Sequence, residues 1–144
     1  MKRLTFVLWL ALAAVLAACG GAAPEEMPAL ELTLTATDIA YDVNRLEVKA
    51  GQTVKLTLHN AGALEHDFSI MEMPHTGEVV AEEMEDAAHG HEMTLDPEVH
   101  VAAPIGDSRR LEFTPSKPGE YEFFCTVEGH KEAGMTGVLV VTAP

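Results

Sequence analysis

A cysteine, a histidine and a methionine, each separated from the next by four residues, lie near the C-terminus in Cys125-Thr-Val-Glu-Gly-His130-Lys-Glu-Ala-Gly-Met135. Glu120-Tyr-Glu-Phe-Phe124 before them reads as a strand, and Thr136-Gly-Val-Leu-Val-Val141 after them reads as the next. The three side chains therefore occupy a strand end and the short loop joining two strands. A loop of that kind brings them to one point at the rim of a β-sandwich. No other stretch limits the fold as much.

The donors also limit the chemistry. Thiolate and thioether are soft ligands, and imidazole suits copper, zinc, iron and nickel. Two histidines and a cysteine in a trigonal set, with a weak axial methionine, make an electron-transfer copper site. The loop lacks one histidine, and His66 in Asn60-Ala-Gly-Ala-Leu-Glu-His66-Asp-Phe-Ser-Ile70 is the best placed to supply it. His66 alternates with Phe68 and Ile70, so it enters from the inner side if those two face the core. His59 falls on the polar face of its strand, where a surface role competes with a ligand role.

These segments resemble the cupredoxins, specifically the plastocyanin, auracyanin and halocyanin-like small blue copper proteins. The resemblance rests on Lys49-Ala-Gly-Gln-Thr-Val-Lys55, His66-Asp-Phe68, Pro118-Gly-Glu-Tyr-Glu-Phe-Phe-Cys125 and the loop just described. It spans about residues 30–142. It implies an all-β Greek-key sandwich, one copper cycling between Cu(I) and Cu(II), and His66, Cys125, His130 and Met135 as ligands. It also implies that the ring edge of His130 is exposed at the loop apex, where a partner docks. Phe124, before the cysteine, stands either on an electron exit route or in plain packing. One departure matters: many blue copper proteins place asparagine after the first histidine, and here Asp67 follows His66. The usual bracing of the cysteine loop is then open, and a carboxylate so close should favour the oxidised metal.

Elsewhere the chain reads as about eight short strands with one insertion. Leu30–Ala36 alternates apolar with polar residues, as do Arg45–Lys49 and Thr53–Asn60. Residues 71–103 are the insertion, and Thr76–His89 within it has helical spacing, with Thr76 as a cap and Gly90 as a stop. His89, His91 and Met93 form either a second, labile copper site or part of an acidic insertion with no metal role.

Residues 1–18 have a basic start at Lys2 and Arg3, an apolar stretch and a Leu-Ala-Ala-Cys ending. That is the form of a secretory leader, and it resembles the bacterial lipoprotein signal with Cys19 as the lipidated residue. Residues 19–29 read as a flexible tether and 30–144 as the single domain. The expected place is therefore the outer face of the bacterial cytoplasmic membrane, held by lipid. A formal net charge of −14 argues against nucleic acid and for a partner with a basic patch, such as a cytochrome c or an oxidase subunit. The expected state is a monomer. Phe124 and Thr126 stand where a multicopper enzyme needs histidines, and a dinuclear site needs a second loop cysteine. The sequence thus favours a one-electron carrier over an enzyme. A protein for copper delivery, storage or tolerance is the alternative.

Overall fold

The structure is a computed structural model that describes residues 27–82 and 95–144. The leader, Cys19 and His89, His91 and Met93 lie outside those residues. Among the described residues, ten strands form two five-stranded sheets. The first sheet takes β1 (Leu30–Thr37), β2 (Ala40–Tyr41), β4 (Val54–Asn60), β6 (Val80–Ala81) and β8 (Ser108–Phe113), in the order β2-β1-β4-β8-β6. The second takes β3 (Arg45–Lys49), β5 (His66–Ile70), β7 (Val99–Ala103), β9 (Gly119–Phe124) and β10 (Thr136–Thr142), in the order β3-β10-β9-β5-β7. β1 runs parallel to β4 and β3 parallel to β10, while the other ladders are antiparallel.

Period-two alternation decides which side chains fill the space between the sheets. Leu34, Leu56, Leu58, Leu111 and Phe113 face inward from the first sheet, and Phe68, Ile70, Val101, Phe123 and Leu139 from the second. All are within 2% of full burial. This is the β-sandwich expected from the sequence, and the strands beyond those expected, β6 and the five-residue β7, both lie in the stretch read as an insertion.

The region 71–103 departs from the expected helix in its described part. Residues 76–82 form no helix, and Val80–Ala81 instead pairs with Glu112 and Leu111 of β8. The helical spacing comes from residues whose neighbours on β8 offer free ladder positions, so tertiary pairing overrides local propensity. Val99–Ala103 is a full strand in register with β5, with His100 opposite Ser69 and Ala103 opposite His66. β5 is thereby flanked on both sides, and all five of its residues are buried.

The sandwich has one chemically active end. β4 finishes there at Asn60, β5 starts there at His66, and β9 leaves its sheet there before Cys125. Beneath that end the rings of Tyr41, Phe123 and Phe68 pack in sequence, Tyr41 edge-on to Phe123, with centroids 5.4 and 5.0 Å apart. The Phe123 ring lies across Gly137, its cross-strand partner, and a Cβ there would fall 2.1 Å from the ring. Gly137→Ala should therefore destabilise the fold by about 1–3 kcal/mol, the range for overpacking a well-filled core. A lowered denaturation midpoint would bear this out, and Phe123→Leu in the same background should recover part of the loss. An unchanged midpoint would mean that the ring yields freely.

Candidate metal centre

The site is built from one strand start and one loop. Asn60, fully buried, shapes the approach to the first histidine. Its amide Nδ2 donates to the carbonyls of Leu64 (2.7 Å) and Ala103 (2.9 Å), and its Oδ1 accepts from the Gly62 N–H at 2.9 Å. The turn so held carries Gly62 against the ring of His66, where a Cβ would lie 2.9 Å from Nε2. His66 Nε2 is buried without a hydrogen-bond partner, and Nδ1 turns toward Cys125.

The loop places the other donors by two tight turns. Gly129 and Gly134, each immediately before an expected ligand, have φ of 81° and 100°, the left-handed region glycine enters without a Cβ clash. His130 N–H donates to the Val127 carbonyl at 3.0 Å and Met135 N–H to the His130 carbonyl at 2.9 Å. Cys125 N–H donates to the Met135 carbonyl at 3.2 Å, so the backbone returns to its starting point. Met135 is fully buried beside the cysteine.

Cys125 Sγ lies 4.0 Å from His66 Nδ1 and 3.4 Å from His130 Nδ1, and the three donor atoms fall within 4.8 Å of one another. A first-row metal ion bonded to sulfur at about 2.3 Å and to nitrogen at about 2.0 Å separates such donors by roughly 3.5–3.8 Å. The cluster thus fits a single ion. Cys125 and His66 are fully buried and His130 is 5% exposed. The resemblance implied an exposed ring edge at His130; the ring is mostly covered, although it is the histidine nearer to solvent. Phe124, at 4%, is packed rather than exposed, with the ammonium of Lys131 at 3.8 Å over its ring and Glu122 at 2.7 Å from that ammonium. His59 points away and meets Ser108 Oγ at 2.9 Å.

Asp67 supplies the bracing that the missing asparagine left open. Its carboxylate accepts from the Thr126 N–H at 2.9 and 3.0 Å, from Thr126 Oγ1 at 2.6 Å and from Ser69 Oγ at 2.9 Å. Oδ2 also lies 3.9 Å from Cys125 Sγ. Tyr41 reaches across from the first sheet and donates its hydroxyl to the Asp67 carbonyl. Thr126, Ser69, Asn60 and Tyr41 escape a reading of donor types, because none offers a thiolate, thioether or imidazole.

Burial and charge set the protonation of the metal-free site. Burial, reinforced by the Asp67 charge, pushes the Cys125 thiol up to about 11. Burial holds His66 below the ordinary imidazole range, helped by His130 and opposed by the Asp67 and Asp38 carboxylates. The phenol of Tyr41 is raised by burial, then by Cys125 and Asp67. His66 is thus kept neutral and ready to coordinate, while Cys125 must lose a proton to do so.

Comparison with known proteins agrees with this geometry. A family model described as a cupredoxin-like domain matches residues 5–141, and the chain belongs to the cupredoxin-like family. It is 32% identical over 107 residues to the copper-resistant cuproprotein CopI of Rubrivivax gelatinosus, covering 70% of this chain and 59% of that one. It thus spans about 59% of that relative's length. Identity to CopI of Pseudomonas aeruginosa is 30% over 129 residues, covering 72% and 71%. Auracyanin-A of Chloroflexus aurantiacus is 27% identical over 161 residues, covering 98% and 97%. A dithionite-reduced auracyanin from Roseiflexus castenholzii shares the fold, with a TM-score of 0.61 at 24% identity, covering 81% of this chain and 99% of that one. Fold and donor set together define a site for one copper ion.

Two outcomes follow. Copper uptake should release one proton per metal at neutral pH, so that metal affinity rises about tenfold per pH unit up to the thiol pKa. Competition titrations at several pH values read this directly, and a pH-independent affinity would show that Cys125 is not a ligand. Asp67→Asn should lower the pKa of the metal-free thiol below about 11 by removing the nearby negative charge, and it should raise the reduction potential of the copper form. Thiol titration together with voltammetry would reveal either effect, and neither moving would show that the carboxylate is electrostatically silent.

Proposed function

We propose that this chain is a one-electron carrier with a mononuclear type 1 copper centre, and that His66, Cys125, His130 and Met135 would hold the copper. The observation that carries this reading is the bracing of the donors by the protein's own hydrogen bonds and turns. Asp67 fixes Thr126, the two glycine turns fix His130 and Met135, and Asn60 fixes the turn before His66. A site held from outside has little to rearrange when its charge changes. A copper ion held by these residues would supply one-electron chemistry. The residues around it exclude water, keep His66 unprotonated and present the thiolate at the end of β9, whose backbone couples the site to the protein. Thr126 and Phe124 flank the cysteine with no further ligand, which favours a carrier over an enzyme.

A second reading has its own support. Two relatives are named as copper-resistant cuproproteins, and His89, His91 and Met93 offer donors for a second, exchangeable copper. Metal stoichiometry and reversibility separate the readings. One tight copper that cycles reversibly supports the carrier, whereas two or more exchangeable coppers, one of them lost on deleting 76–93, support copper handling.

The setting follows from charge and leader. Among the described residues no helix is long and apolar enough to cross a membrane, and Cys19 with its leader favours lipid anchorage on the outer face of the cytoplasmic membrane. Without the leader the charge is about −16, which suits a basic partner such as a cytochrome c or an oxidase subunit. Steering of that kind raises encounter rates tenfold or more and fades once the Debye length falls to about 8 Å. Electron transfer to a basic cytochrome should therefore slow steeply between low and physiological salt, as stopped-flow kinetics would reveal. A rate flat in salt contradicts the steering. Cys19→Ser should move the protein from the membrane fraction to the soluble one with an unchanged copper spectrum, and retention on membranes would refute the anchor.

A further inference from the structure

Asp67 is the inner end of a hydrogen-bonded line that continues away from the cysteine loop. Ser69, two residues along β5 and fully buried, donates its hydroxyl proton to Asp67 Oδ1 at 2.9 Å. The same hydroxyl oxygen lies 2.9 Å from Nδ1 of His100, directly opposite on the edge strand β7. A serine hydroxyl has one proton, and it is used on Asp67. The oxygen therefore accepts from His100, so the neutral ring carries its proton on Nδ1 and its lone pair on Nε2. His100 is half-buried and lies outside the donor cluster, three strand positions from Ala103, the cross-strand partner of His66.

We infer that His100 is a positioning and tuning residue for the metal centre: through Ser69 it orients Asp67 against Thr126 and Cys125, and its protonation makes the site easier to reduce. The inference rests on the reading of His66, Cys125, His130 and Met135 as a redox copper site. The charge balance is simple. The reduced partner supplies one electron to the centre, and solvent supplies one proton to His100 Nε2. Linkage then requires His100 to hold its proton more tightly in the reduced protein than in the oxidised one, and the potential to climb as pH falls.

The surroundings leave Asp67 as the strongest charge on that ring. β5 contributes Asp67, and Glu65 stands just before it; both favour the charged imidazole, while burial opposes it and holds the group below its ordinary range. On β9, Phe124 stands opposite Ser69, and the nearby ions Lys131 and Glu122 are paired with each other. β4 and β8 pack on β7 across the core, where Val99, Val101 and Ala103 intervene. The charges of those strands are engaged or exposed: Lys55 beside Glu31, Arg110 beside Glu82, Arg109 beside Asp107, with Glu112 exposed.

Two substitutions separate position from charge. Asparagine places an amide N–H close to where Nδ1 sits but cannot be protonated, so His100→Asn keeps the hydrogen bond and loses the titration; His100→Ala loses both. In the copper protein the potential should climb from pH 8 to pH 5, with oxidised- and reduced-state breakpoints separated by at least about half a pH unit, roughly threefold in proton affinity. His100→Asn should flatten that profile with the thiolate-to-copper absorption band in place. His100→Ala should flatten it and also shift the band as Asp67 loosens. In the metal-free protein, Asp67→Asn should lower the pKa of His100, followed by NMR of the ring protons, by about half a unit. An unchanged pH profile in His100→Asn, or a His100 titration indifferent to Asp67→Asn, would overturn the inference. A chain that forms no coloured copper site fails the redox reading instead, and the metal-free titration still decides whether His100 senses Asp67.

Discussion

The site depends on one buried carboxylate bridging two segments that are far apart in sequence. Asp67 belongs to β5, which delivers His66, and its oxygens take the N–H and hydroxyl of Thr126, the residue after Cys125. Without such a bridge the cysteine loop would be tied to its own hairpin and the first histidine to another strand. A neutral asparagine has one acceptor oxygen where the carboxylate has two, so Asp67 can hold the Thr126 backbone, the Thr126 hydroxyl and Ser69 together. The same charge acts on everything within reach. It raises the thiol of Cys125, opposes the effect of burial on His66 and His100, and favours the more positive oxidation state of a bound metal. Bracing and tuning are one interaction.

The rest of the sandwich serves to hold that interaction at a rim that excludes water. Inward-facing leucines and phenylalanines of both sheets make the floor, and the aromatic series Tyr41, Phe123 and Phe68 lies directly under the ligands. Tyr41 spans the two sheets, with its ring against the core and its hydroxyl on the Asp67 backbone. Lys131 covers Phe124 on the outer side of the loop. The loop itself is short, and its two positive-φ glycines turn it sharply enough to bring Met135 back beside Cys125.

Much of this was legible in the sequence, for definite reasons. The spacing of Cys125, His130 and Met135 between two β-branched runs placed the donors at a strand end, and alternation put His66 on the inner face with Phe68 and Ile70. Both are local patterns, and the structure places His66, Cys125 and His130 within one cluster. What stayed hidden depends on register between distant strands. Whether Asp67 could brace the loop turned on Thr126 lying across from it, and the link to His100 turned on β7 pairing with β5 at Ser69. Residues 76–82 misled because their helical spacing is weaker than the open edge of β8, which takes Val80 and Ala81 as a short strand. The ring edge expected at the loop apex is limited to the 5% exposure of His130, against none for His66 and Cys125.

If protein hydrogen bonds hold the three-donor cluster in one arrangement, a single copper ion meets the same ligands in both oxidation states. X-ray absorption at the copper edge, recorded on the oxidised and the dithionite-reduced protein, tests it most directly. One short copper–sulfur distance and two copper–nitrogen distances are expected in both states, with no ligand gained or lost and no second copper nearby. A missing sulfur, a histidine released on reduction, or a copper–copper vector would contradict it.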